Sequence, residues 1–446
     1  PQIACNTMVS EGMSATNQSD SIKETVKWGL DFHLINHPLD CPVCDQAGEC
    51  ELQNQYMKFG SGYDSEMAEK KVKKNKVVDL GKEVVLDSER CVLCSRCVRF
   101  TSEITRTNEL GIFNRGDRSE VGTFKGKPLN NNYSVNTVDI CPVGALTSKD
   151  FRFNQRVWYL KNKKSICTGC STGCNVKAYF NEDGYFRFKP VVNQEINGYW
   201  MCDEGRKVYK STNKENRLMG YELQYGDACS KEEAFKVAQD LISSAVTTAL
   251  VVTGQQSNEE YESIISYFKE TLNSEQIYHW HTTPGKEDEF DGLLMRGDKN
   301  PNTKGLQKIL SEKGLGKDVS ELSSVDTLVV VGPENMTHVK DLKAQLEKFI
   351  QSQNVIWLGS ALVEELKEMA HVKLQMPLRT YLEKTGTFTN HAGQDQKVTV
   401  VKTVNKQALA LTDWVQLMQN QEVQQDQGVK FPKVKTNFFM DDRGTV

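Results

Sequence analysis

The chain carries thirteen cysteines in 446 residues, and twelve of them lie within the first 202. Eleven of those twelve, with one histidine, parse into three four-donor sets. The first is His37-x3-Cys41-x2-Cys44-x5-Cys50, and the second is Cys91-x2-Cys94-x2-Cys97-x43-Cys141-Pro142. The third is Cys167-x2-Cys170-x3-Cys174-x27-Cys202. A Cys-x-x-Cys turn places two thiolates on one side of a short loop, where backbone N–H groups can point at inorganic sulfide. A remote donor then closes the cage from another element. Thiolates are soft ligands that suit zinc, copper(I) or iron–sulfur clusters. Zinc is the plain reading of a single Cys-x-x-Cys plus another pair. The second set argues for iron and sulfide, because three cysteines at uniform x2 spacing with a remote Cys-Pro form a [4Fe–4S] pattern. Cys141 goes with that set because the first already has four donors.

His37 must be weighed against a packed or surface role, the usual place of a lone histidine. It sits at a helix stop four residues before Cys41, beside three cysteines that lack a fourth partner. His33, one helical turn earlier, is its rival. A neutral imidazole in place of a thiolate makes a cluster one charge less negative, which tends to raise its potential. Cys5 has no local partner. Cys229 precedes a helix cap and reads as a small buried residue. His279-Trp280-His281 reads as structural, on an isolated strand.

The elements that must position these donors follow from pattern. Ser21 and Glu24 form a capping box for a helix over 21–36, with Ile22, Val26, Leu30 and Leu34 as its stripe, stopped before Pro38. Residues 65–82, rich in lysine, read as an exposed connection. Val176–Phe180 and Tyr185–Lys189 flank a turn at Asn181–Gly184 and predict a hairpin. Beyond Lys210 the texture changes. Helices are expected from the Ser230 cap to Ser244, from the Ser257 cap to Leu272, near Val339–Gln351 and over Leu362–Met369. Strands are expected at Ala249–Thr253, Thr327–Val331, Val355–Leu358 and Val372–Met376. Strands alternating with helices imply a parallel sheet.

Composition narrows the function. Hydrophobic residues are 38% and no apolar run reaches the length of a membrane span. Lysine plus arginine number 55 against 59 acidic residues, a net charge of −4, which argues against a dedicated nucleic-acid binder. The chain opens Pro1-Gln2-Ile3-Ala4-Cys5 without a charged and apolar leader. Its last residues, Asp441–Val446, carry no lipidation signal.

The run His37-Pro38-Leu39-Asp40-Cys41-Pro42-Val43-Cys44-Asp45-Gln46-Ala47-Gly48-Glu49-Cys50 resembles the family of the large iron–sulfur subunit, or G subunit, of bacterial respiratory complex I. So do Asp139-Ile140-Cys141-Pro142-Val143-Gly144-Ala145 and Trp200-Met201-Cys202-Asp203-Glu204-Gly205-Arg206, with dense coverage over residues 1–210. The resemblance implies three [4Fe–4S] clusters. It also implies that Cys5 is the last ligand of a [2Fe–2S] cluster whose other ligands would lie upstream or on another chain. The third [4Fe–4S] cluster is found in part of that family and lies off its main electron path. The back half resembles the molybdopterin-oxidoreductase fold through Glu383-Lys384-Thr385-Gly386-Thr387-Phe388-Thr389-Asn390, but continues with His391-Ala392-Gly393-Gln394, and no molybdopterin is expected.

The expected fold class is therefore α+β iron–sulfur domains followed by a shortened α/β molybdopterin-oxidoreductase-like domain. The boundaries are 1–20 for a [2Fe–2S] remnant, 21–64 for the cluster with one histidine and three cysteines, 65–156 for the ferredoxin-like domain with four cysteines, 157–212 for the third cluster and 213–446 for the cofactor-free α/β domain. The implied role is that of a non-catalytic electron-relay subunit, peripheral at the cytoplasmic face of the bacterial inner membrane. Its implied partners are an FMN/NADH-binding subunit, a [2Fe–2S] subunit and a quinone-module iron–sulfur subunit. The rivals are the large subunit of an NAD-linked molybdenum formate dehydrogenase, a hydrogenase front end and a zinc scaffold.

Overall fold

A computed structural model describes residues 2–60, 72–339, 342–421 and 423. The front begins with helix α1 (Asp20–Leu34) and helix α2 (Glu51–Phe59), which bracket the first cysteine loop. Helix α1 starts earlier than the Ser21 box, because Ser19 accepts the Ile22 N–H and Asp20 in the first turn complements the helix dipole. Strands β1 (Val78–Asp79), β2 (Val84–Leu86) and β5 (Leu146–Ser148) form a small antiparallel sheet; β3 (Leu110–Phe113) and β4 (Glu120–Thr123) form a hairpin. Short helices α3 (Arg96–Arg99), continued by a π-helical turn to Ile104, and α4 (Asn136–Asp139) complete this region. The expected connection over 65–82 is overturned at its end. Val78–Asp79 pairs with Val85–Leu86, and Leu80 is buried in the core beneath them. Residues 65–71 lie outside the described residues.

Next come β6 (Lys161–Ile166), β7 (Asn175–Phe180) and β8 (Tyr185–Pro190), an antiparallel meander whose second hairpin is the expected one. Strands β9 (Tyr221–Leu223) and β10 (Ala228–Cys229) then form an antiparallel ribbon. They border a sheet built by β11 (Thr248–Thr253), β12 (Ile277–Trp280), β13 (Lys317–Asp318), β14 (Thr327–Val331), β15 (Asn354–Gly359) and β16 (Val372–Pro377). The order is β10-β9-β16-β15-β14-β11-β12-β13, and the pairs from β16 to β13 are parallel.

Alternation along the strands explains why helices cover both faces. Leu250, Val252, Val329, Val331, Ile356 and Leu358 face one core with α5 (Lys231–Ser243), α6 (Asn258–Ser266), α7 (Thr303–Glu312) and α9 (Leu411–Met418). Ala249, Val251, Leu328, Val330, Val355 and Trp357 face the other, with α8 (Leu342–Phe349). Each such buried Val, Leu or Ile side chain contributes roughly 1.5–3 kcal/mol of transfer free energy. A hairpin of β17 (Gly386–Thr389) and β18 (Asp395–Val398) leans back toward the meander.

Three further expectations are corrected. The helix over Leu362–Met369 is only a 3-10 turn, Glu364–Glu368, because a short connection with Leu366 as its one buried anchor cannot support an amphipathic stripe. The strand of His279-Trp280-His281 is not isolated: it is β12, paired on both sides, with Trp280 in the core and His281 just beyond its end. Cys229 is half-buried on the edge ribbon, packed against one core without lying inside it.

Candidate metal centres

The first set is built by the ends of two helices. Helix α1 stops at Leu34, whose carbonyl accepts the His37 N–H at 3.2 Å. Cys41–Val43 form one 3-10 turn with a proline at its start, and Cys50 is the N-cap of α2. His37, Cys41, Cys44 and Cys50 line one cavity with Pro38, Ala47 and Gly144. His33 is exposed on α1 and is not part of that lining. Cys41 is exposed, while Cys44 and Cys50 are buried.

Ion pairs pin this loop to its surroundings. Asp40 pairs with Arg90 at 3.0 Å and with Lys76 at 2.6 Å, and Arg90 also reaches Asp87 at 3.2 Å. The Lys76 hydrogen bond is the chief reason that the Asp40 carboxyl is held below the usual carboxylate range. On the other side Glu49 accepts a bidentate pair from Arg187 at 2.8 and 2.9 Å, and Arg156 donates to the Cys44 carbonyl at 2.6 Å.

The second set wraps one loop around a cavity. Cys91, Cys94, Cys97 and Cys141 line it with Leu86, Val121 and Leu146. Leu93 and Ser95, between the cysteines, sit at φ of 53° and 57°. Left-handed conformations of such residues cost about 1–3 kcal/mol each, the kind of local strain that sites retain. The Leu93 N–H in turn reaches the Cys91 sulfur at 3.4 Å.

The segment Cys141–Gly144 serves two sets at once. Cys141 belongs to the second cavity, while the Pro142 carbonyl accepts the Cys50 thiol at 3.8 Å. A Cβ at Gly144 would collide with the Cys44 sulfur. The first two sets are therefore neighbours across one turn of chain.

The third set is enclosed. Cys167 follows β6, Cys170 and Cys174 precede β7, and Cys202 precedes a 3-10 segment, Gly205–Thr212; all four are buried. The Gly169 N–H donates to Cys167 Sγ at 3.4 Å and the Gly205 N–H to Cys202 Sγ at 3.2 Å. A Cβ at Gly205 would stand 2.9 Å from Cys167 Sγ and 3.2 Å from Cys202 Sγ, so only glycine leaves this space open. Asp203 accepts from Ser134 and from the Val135 N–H, and Arg206 reaches Asp139 at 2.6 Å, which ties this loop to the second set's remote arm.

Burial pushes the thiols up: Cys97 and Cys167 to about 12 and Cys141 to about 11, with Cys174 and Cys202 also well raised. Bare thiols here stay protonated at neutral pH, so loading a metal releases protons. Among the described residues no three His, Cys, Asp or Glu side chains are grouped to hold one metal ion. The fit to a larger inorganic group rests on the four-donor chemistry, the shared cavities and the glycine clearances. Cys5 lies in a 3-10 turn, Ala4–Asn6, and its side chain falls outside the described residues. Donor spacing alone does not single out the two clearing glycines or the Arg90 network. The only signal for the glycines is their place in the motifs around Cys141 and Cys202.

The Glu383–Asn390 motif is spent on structure. Lys384 is buried between Glu260 at 2.7 Å and Glu334 at 2.8 Å, and Glu383 pairs with buried Arg217 at 2.9 Å. Just beyond it, the His391 N–H donates to the Ser171 carbonyl at 2.8 Å, pressing the hairpin onto the third loop.

Three family models match the front. Residues 29–63 match the NADH-ubiquinone oxidoreductase-G iron-sulfur binding region, and residues 81–147 the ferredoxin-like domain of NADH-quinone oxidoreductase subunit 3. Residues 160–214 match the molybdopterin oxidoreductase Fe4S4 domain. The G subunit of NADH-quinone oxidoreductase from Streptomyces coelicolor is 32% identical over 75% of this chain and 40% of its own length. The mitochondrial NADH dehydrogenase [ubiquinone] iron-sulfur protein 1 of Solanum tuberosum is 31% identical over 79% of this chain and 46% of its own. The G subunit from Rickettsia conorii is 35% identical over 61% and 41%. The chain thus spans less than half the length of the curated relatives it matches.

Proposed function

We propose that this chain, which belongs to the family of the NADH-quinone oxidoreductase G subunit, is an electron-relay subunit that passes electrons from an NADH/FMN site toward quinone. Three sets serve as ligands to [4Fe–4S] clusters: His37, Cys41, Cys44 and Cys50; Cys91, Cys94, Cys97 and Cys141; Cys167, Cys170, Cys174 and Cys202. The observation that carries the reading is the Cys141–Gly144 turn, which packs against the donors of both the first and second sets.

When bound, each cluster exchanges one electron. The chain's own work is to bury the cages, to fix their separation and to supply N–H donors to sulfur. The Asp40–Arg90–Asp87 network locks the spacing of the first two sets. Cys5 is a further candidate ligand, to a [2Fe–2S] cluster. The cluster regions divide at about residues 20, 64, 156 and 212, and a molybdopterin-oxidoreductase-like α/β unit follows. Its partners are an FMN-bearing NADH subunit, a [2Fe–2S] subunit and a quinone-module iron–sulfur subunit, in a peripheral assembly on the cytoplasmic face of the inner membrane. Among the described residues no helix is long and apolar enough to cross a membrane.

Anaerobic iron, sulfide and EPR analysis of the chain with its partners tests this. Three distinct [4Fe–4S] centres are expected. A colourless zinc protein, or stoichiometric molybdenum, overturns it.

A further inference from the structure

The loop from His281 to Asn300, between β12 and α7, lies over the third set and brings one largely buried cation to it. The Asp298 carbonyl accepts the N–H of Ser171, between Cys170 and Cys174, at 2.9 Å. Lys299, the next residue, sends its ammonium to Glu204 at 2.7 Å, two positions after Cys202. Its backbone N–H is held by Thr283 at 3.2 Å, and its side chain is only 13% exposed. Glu204 also takes His338 Nε2 at 2.8 Å, from the segment that follows β14. The cation is therefore pinned at backbone and tip beside the two arms that carry Cys170 and Cys202.

We infer that Lys299 sets the reduction potential of the cluster held by Cys167, Cys170, Cys174 and Cys202, its clamped ammonium stabilising the reduced state. This rests on the cluster assignment proposed above. A cage with four thiolates takes its one electron against its own negative charge. A fixed positive charge held largely out of water opposes that repulsion more strongly than one in open solvent. Glu204 in turn favours the charged form of Lys299. Glu204 opposes the cation's effect, and its pairing holds Lys299 in place. Buried charge is costly unless paired, so this geometry is more than incidental packing. The α/β unit thus does more than cover the front: it delivers a charge to the third set.

The test is a dithionite titration, followed by EPR, of the assembled protein with its partners. In Lys299→Met the third cluster's midpoint falls, so that at fixed ambient potential its ratio of reduced to oxidised cluster drops roughly tenfold or more. Glu204→Gln, which removes the opposing charge, moves the midpoint the other way. Lys299→Arg, which keeps the charge, keeps the original value. The second cluster's midpoint, governed by Cys91, Cys94, Cys97 and Cys141, stays put in all three. Unmoved midpoints, or shifts of the same sign in Lys299→Met and Glu204→Gln, overturn the inference. Should Lys299→Met fail to assemble its cluster, Glu204→Gln decides: a raised midpoint supports the inference and an unchanged one defeats it. Absence of a third cluster from the unsubstituted protein is a different result, and it defeats the cluster assignment instead.

Discussion

The first and third donor sets differ in how the chain holds them. The first lies in a loop between two helix ends, with Cys41 exposed and its neighbours pinned by Asp40–Arg90 and Glu49–Arg187 pairs. The third has all four cysteines buried, and Cys167, Cys174 and Cys202 share a core with Leu382, Phe388 and Val398 of the back half. One set is a surface fixture secured by charge; the other is part of the packing between two halves of the molecule. On the relay reading, the open set is suited to exchange with a neighbouring protein. On the same reading, the closed set adds to the packing between the halves whether or not it carries current.

Removing one donor from each set sharpens that contrast most. Cys170→Ser is expected to lower the yield of folded, assembled protein severely, because the core between the halves loses its inorganic centre. Cys41→Ser should leave a folded protein that lacks one EPR signal. Comparable yield and protease resistance in the two variants would break the comparison. Cys94→Ser, in the neighbouring set, should abolish the second cluster's signal and electron flow while the third signal persists; an unchanged signal would refute the ligand assignment.

A smaller effect tests the back half without touching a ligand. Arg217 is fully buried, paired with Glu383 at 2.9 Å and donating to the carbonyls of Ser360 and Leu378. Arg217→Met strands a buried carboxylate and should cost about 3–5 kcal/mol. Denaturant unfolding reads this directly. A loss confined to a few tenths would mean that the back half is held by apolar packing alone.

Much of this contrast is legible in the residues, and the rest is not for a physical reason. Spacing is local information, so the three donor sets, the β7–β8 hairpin and most of the parallel strands can be read from it. Pairing across the chain is not local. Nothing in Val78–Asp79 announces that it joins a strand beyond Leu80, and nothing near His279 announces a partner at Asp318. The same holds for the sites. His37 ranks above His33 by its place at the helix stop, whereas the Lys299–Glu204 pair links residues that lie 95 positions apart. Cys229 misleads because an isolated cysteine in a β/α texture is usually interior, and here it falls on an edge ribbon.

Acid should separate the two regions more gently. In the front loop Asp40 is held below its usual range, chiefly by Lys76, so its stabilising contribution is complete above the unfolded value and fades only as pH falls through the folded one. From pH 7 to 5 it does not change. In the back half burial lowers His279 to about 4, with His281 adding to the effect and Asp318 and Glu287 opposing it. Among the described residues its buried Nε2 has no hydrogen-bond partner. Between pH 6.5 and 4 the unfolded chain binds a proton that the folded chain refuses, so stability falls as pH falls through that window. The loss from this one residue between pH 7 and pH 5 is about 2 kcal/mol. His279→Gln removes the titration. The stability difference between the original protein and the variant, measured in urea, should therefore shift by that amount in the variant's favour between pH 7 and pH 5. A constant difference would mean that the β12 histidine is already accommodated in its charged form, and the acid response would no longer distinguish the sheet from the front loop.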